Sequence, residues 1–95
     1  MPYYIHAEDK AGALELRLQV REAHLAYTMQ FNDKIIAAGP ILGDDGETML
    51  GSVILIDLDD RAEVEAYCAG DPYSKAGVFS QVSIQPFRHM WPKSG

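Results

Sequence analysis

Hydrophobic and polar positions change period several times along the 95 residues, and each change predicts an element. Tyr3 to Glu8 alternates and is rich in aromatic and branched side chains, which predicts a first strand ended by Glu8-Asp9-Lys10 and Gly12. From Ala13 to about Asn32 there is no Gly or Pro, and apolar residues recur at helical spacing. Lys34 to Leu42 is apolar at both alternating sets of positions, the pattern of a strand covered on both faces. Gly43-Asp44-Asp45-Gly46 then turns the chain, and Met49 to Leu58 completes a hairpin. Asp60-Arg61-Ala62-Glu63 has capping-box spacing and opens a second helix, which Gly70 ends. Pro72 cannot continue that helix; Val78 to Phe87 alternates as a last strand, and His89 to Gly95 reads as a loose arm.

The order strand, helix, strand, strand, helix, strand predicts a single α+β domain over 1–95. Its architecture is ferredoxin-like βαββαβ: an antiparallel sheet with two helices on one face. The middle strands stay apolar on the side away from the helices, so a partner sheet is the expected cover and a homodimer the expected assembly.

The helical wheel of the first helix gives the earliest sign of chemistry. Glu15, Gln19, Glu22, Ala26 and Gln30 share one side, the expected solvent face. Two apolar stripes flank the opposite side: Leu14, Leu18, Leu25 and Met29 on one edge, Leu16, Val20, Tyr27 and Phe31 on the other. Leu18 and Leu25 are therefore expected as core contacts. Between the stripes Arg17, Arg21, His24 and Thr28 are spaced by four, three and four, so they stack in one line on the inward face. Buried charges need partners or a cavity, and this line suggests a polar pocket between helix and sheet. In the plainer reading the arginines reach the rim, Thr28 bonds back to the helix and His24 is a satisfied interior histidine.

Charge and composition narrow the partners. A net charge of -6 with scattered basic residues argues against nucleic acid and against an anionic membrane surface. No apolar run approaches the roughly 20 residues of a spanning helix. Met1 to His6 lacks the basic and apolar regions of a secretory signal, and the lone Cys68 fits a reducing compartment, so the expected location is cytoplasmic. Histidines without close helical spacing and a single cysteine predict no metal site, and the absence of a Gly-rich phosphate loop predicts no cofactor. His6 and His89 lie in no motif. Gly39-Pro40 and Gly51 are expected to shape strand ends or bulges rather than to contact a ligand.

Three segments, Arg21-Glu22-Ala23-His24-Leu25, Ala38-Gly39-Pro40-Ile41 and Asp71-Pro72-Tyr73-Ser74-Lys75-Ala76-Gly77-Val78-Phe79, resemble the signature stretches of YCII-related proteins, in the same order. The resemblance spans essentially the whole chain; the R-x-x-H-L and D-P-[FY] pieces together make it specific. It implies a dimeric α/β barrel in which His24 and Asp71 form a pair in a cleft. Arg21 matches the motif and could hold an anionic group of a ligand; Arg17 on the same helical line extends that idea, and Thr28 and Tyr73 complete the candidate ligand-binding set. Asp71 before Pro72 could equally cap a short helical turn, a role compatible with pairing to His24.

Two functions stay open at this point, besides a third possibility, a haem-handling barrel. One is a small-molecule enzyme with His24 as general acid or base and Asp71 orienting it, performing a cofactor-free elimination, isomerisation or related step on a small anionic or aromatic compound. The other is a non-catalytic ligand-binding or regulatory module using the same cleft.

Overall fold

A computed structural model of the chain describes residues 2–92. Its elements are β1 (Pro2–Asp9), α1 (Leu14–Met29), β2 (Ile35–Leu42), β3 (Met49–Asp57), α2 (Arg61–Gly70), α3 (Pro72–Ala76) and β4 (Phe79–Pro86). The strands form one antiparallel sheet in the order β2-β3-β1-β4, and the helices pack on one face, the ferredoxin-like arrangement. Of the C-terminal arm, His89 to Pro92 joins no helix or strand, and Lys93, Ser94 and Gly95 lie outside the described residues.

The core follows the period-2 alternation. Tyr3, Ile5 and Ala7 of β1 and Ile54 and Ile56 of β3 turn inward and meet Val64 and Tyr67 of α2. Ile5, Ile56, Val64 and Val78 are fully enclosed, each contributing about 1.5–3 kcal/mol by burial. Tyr27 and Phe31 of the predicted inner stripe pack against this cluster, while Leu16 and Val20 pack against Ala13, Tyr73 and Val78. Cys68 is half-buried, and burial pushes its thiol up to about 11, which leaves it unreactive.

Four expectations need correction. A third helix exists: Asp71 caps it by accepting from the Tyr73 amide, Pro72 stands in its first turn, and Gly77 closes it at φ 82°, where a side chain would be strained. The first helix stops at Met29 rather than near Asn32, because Gln30, Phe31 and Asn32 donate to carbonyls three residues back and tighten the chain into turns. β2 is not covered on both faces in the single chain; it is an edge strand, and only Ile35 and Ile41 in it are half-buried. Its unbroken apolar run, like that of β3, contains bulges, at Ile36 and at Leu50, whose extra side chains turn outward. Finally, Leu14, Leu18, Leu25 and Met29 are 42–68% exposed, so Leu18 and Leu25 are not core contacts within one subunit. The predicted solvent face of α1 is exposed throughout.

The hairpin turn has its own electrostatics. Asp45 accepts from the Thr48 hydroxyl and from the Thr48 and Glu47 amides, and these bonds hold its carboxyl down at about 2. A depressed carboxyl contributes stability that is present above its ordinary range and is lost as pH falls through the folded value. The Thr48 amide resonance should therefore keep its neutral-pH position until the solution is acidified toward about 2. Movement in the ordinary carboxylate range would mean that the turn is open in solution.

Candidate functional site

The inward line of α1 reaches a cleft of about 300 Å³ between that helix and the β2-β3 half of the sheet. Arg17, Arg21, His24 and Thr28 all line it, so the polar row read from the wheel does face a pocket. Opposite them stand Ala38, Gly39 and Pro40, with Tyr67 and Tyr73 also contributing. Gly39-Pro40, expected only to shape a strand end, thus forms part of the wall. Gly51 does act structurally, since a Cβ there would run into the Ala7 carbonyl.

His24 and Asp71 meet across 47 residues of sequence, with Nδ1 2.8 Å from Oδ1. Their side chains are 15% and 4% exposed. The same Oδ1 accepts from the Tyr73 amide at 2.9 Å, so a single carboxylate oxygen both caps α3 and holds the imidazole. An ionised carboxylate can only accept, which puts the neutral imidazole's proton on Nδ1 and leaves the Nε2 lone pair free. Nε2 lies 3.5 Å from the Thr28 hydroxyl. Thr28 thus approaches His24 at the outer limit of a hydrogen bond.

Tyr73 fixes the imidazole plane. The two rings stack at 3.9 Å between centroids and 12° between planes, and the Arg17 guanidinium carbon lies over the same phenol, 4.6 Å from its centroid. Arg17 and His24 are seven residues apart on α1, about 10 Å along the axis, so the phenol is clamped between them. Phe79 meets its edge. Burial pushes the Tyr73 hydroxyl upward from its ordinary pKa, while the charges of Arg17 and Arg21 oppose that shift.

The two arginines differ sharply. Arg17 is 3% exposed, and its Nε and Nη2 bind both oxygens of Asp9 at 2.7 and 2.9 Å; Nη2 also donates to Ser52 at 2.8 Å. Burial opposes the guanidinium charge, but the Asp9 carboxylate outweighs it and the net pKa shift is upward. Arg21 is exposed, lines the cleft, and pairs with no carboxylate among the described residues. The sequence pattern placed the two on one line, and the structure gives one a partner and leaves the other open.

Residues 1–88 match the family model for the YCII-related domain. The chain belongs to the YCII-related family. It is 36% identical to protein YciI of Escherichia coli O6:H1 over 96% of this chain and 100% of that one. It is 34% identical, with the same coverage, to an uncharacterized protein of Haemophilus influenzae. Among solved structures it is similar to 5-chloro-2-hydroxyhydroquinone dehydrochlorinase (TftG) from Burkholderia phenoliruptrix AC1100, in complex with 2,5-dihydroxybenzoquinone. That similarity has a TM-score of 0.87 and 31% identity, and covers 94% of this chain and 95% of that one. A likeness to an antibiotic biosynthesis monooxygenase, at TM-score 0.54 and 16% identity with 93% and 99% coverage, shows the shared fold alone.

Within this YCII-related framework, Ser52 and Tyr67 join the cleft without having been read as site residues. Ser52 carries no local signal, since its role rests on Arg17, 35 residues away. Tyr67 could have been noticed three positions after Val64 on the inward face of α2. His6, on the outer sheet face beside Tyr4, and exposed His89 stay outside the cleft.

Proposed function

We propose that this YCII-related protein is a small-molecule enzyme that uses His24 and Asp71 for general acid/base chemistry on a compact anionic or aromatic compound. The observation that carries this reading is the 2.8 Å His24–Asp71 bond at the wall of a cleft large enough for a single ring. Nε2 takes a proton from the substrate, and Asp71 stabilises the imidazolium that results. Arg21, with no competing carboxylate among the described residues, offsets negative charge on a substrate oxygen. Tyr73 holds the imidazole plane and offers its hydroxyl to the ligand. Arg17, buried and committed to Asp9 and Ser52 with Tyr73 beside it, shapes the cleft wall rather than holding the ligand.

An elimination fits these parts: the base removes a proton, the electron pair forms the new double bond, and an anion leaves. The dehydrochlorinase of similar structure suggests the first substrate to try. Incubation with 5-chloro-2-hydroxyhydroquinone should release chloride faster than the uncatalysed background, or unchlorinated hydroxyquinones should be isomerised. Saturable binding of such compounds with no turnover of any of them would instead support the binding-module reading.

The site belongs, in this reading, to a homodimer. Ala37, Leu55 and Tyr4 align across the outer sheet face by register, and this apolar row fades into Gln85. A second sheet packed there removes it from water. Sedimentation at micromolar concentration should give twice the chain mass; a stable monomer would refute the paired-sheet assembly.

A further inference from the structure

The Tyr67 hydroxyl is buried and has no hydrogen-bond partner among the described residues, although the residue is only 3% exposed and lines the cleft. Buried hydroxyls are rarely left this way unless something else completes them. Thr28 lines the same cleft, and burial pushes the Tyr67 phenol up to about 12. Tyr67 therefore stays a donor throughout the physiological range. Thr28 can accept from it and donate its own proton onward at the same time. In the free protein that onward contact is the marginal 3.5 Å approach to His24 Nε2.

We propose that Thr28, backed by Tyr67, is a second polar anchor of the cleft and takes an oxygen of the substrate at the end opposite Arg21. The inference rests on the acid/base reading above and narrows its substrate class. Arg21 and Thr28 are seven residues apart on α1, about 10 Å along the axis. One ring with oxygen substituents at opposite ends, plus a hydrogen bond of about 2.8 Å at each, fills that span. The preferred ligand is thus a single ring with an acidic group at one end and a hydroxyl or oxo group at the other. Thr28 touches the ligand; Tyr67 is a positioning residue that fixes the direction of the Thr28 proton.

Calorimetric titration of the intact protein with benzoate and 4-hydroxybenzoate tests this. The wild type should bind 4-hydroxybenzoate about tenfold more tightly than benzoate. Thr28→Val should abolish that preference and Tyr67→Phe should reduce it. A preference that survives both substitutions, or a wild type that binds the two acids equally, overturns the second anchor while leaving the Arg21 seat intact. Tyr67→Phe weakening both acids alike makes Tyr67 a packing residue and overturns its positioning role. If neither acid binds, or Arg21→Gln leaves benzoate affinity unchanged, the Arg21 seat itself fails and the proposal fails with it.

Discussion

Asp71→Asn should lower turnover by about 10³–10⁴-fold while leaving ligand affinity nearly unchanged. Asn retains the size of Asp71 and caps helices well, so α3 should survive the substitution. What changes at Nδ1 is the charge it faces: the amide oxygen that keeps the α3 cap still accepts from it, but as a neutral and weaker acceptor. The imidazolium formed in the reaction also loses its counter-charge. His24→Ala should cost about 10²–10⁴-fold, the range for removing a general base. Steady-state kinetics together with equilibrium binding separate these effects from misfolding. Turnover within tenfold of wild type in Asp71→Asn would reduce the carboxylate to a helix cap.

The largest stability effect is expected at Asp9, which has no place in the proposed chemistry. Its side chain is 6% exposed and pairs with an Arg17 side chain that is 3% exposed. Asp9→Ala strands a buried guanidinium, and breaking such a pair from one side costs about 3–5 kcal/mol. Urea denaturation should show that loss, and Arg17→Met in the same chain should recover a large part by removing the orphaned charge. The loss should spread to the site, since Arg17 clamps Tyr73 against His24. A cost below about 1 kcal/mol would mean that water reaches Arg17 and that the clamp is loose.

The strand and helix order was legible because each element keeps a clean period, and the Asp60 cap stands where the spacing put it, accepting from the Glu63 amide at 2.9 Å. His24 and Asp71 were legible through their motifs, and the wheel correctly aimed His24 and Thr28 at a cavity. The differing fates of Arg17 and Arg21 were not, because they depend on Asp9 and Ser52, brought close only by the folded sheet. Periodicity counts which face a residue occupies but not how far a neighbouring element extends over it. Hence the leucine edge of α1 looked like core, yet the sheet ends before covering it. The bulges at Ile36 and Leu50 hid similarly, since an inserted apolar residue lengthens an apolar run without marking itself.

In the proposed function, Asp71 keeps the proton of the neutral form of His24 on Nδ1 and leaves the Nε2 lone pair for the substrate. Nitrogen-15 correlation spectra of the imidazole side chains, recorded where His24 is neutral, read this state without any substrate. His24 of the wild type should carry a protonated Nδ1 and an unprotonated Nε2. A wild-type His24 protonated on Nε2 would contradict this reading.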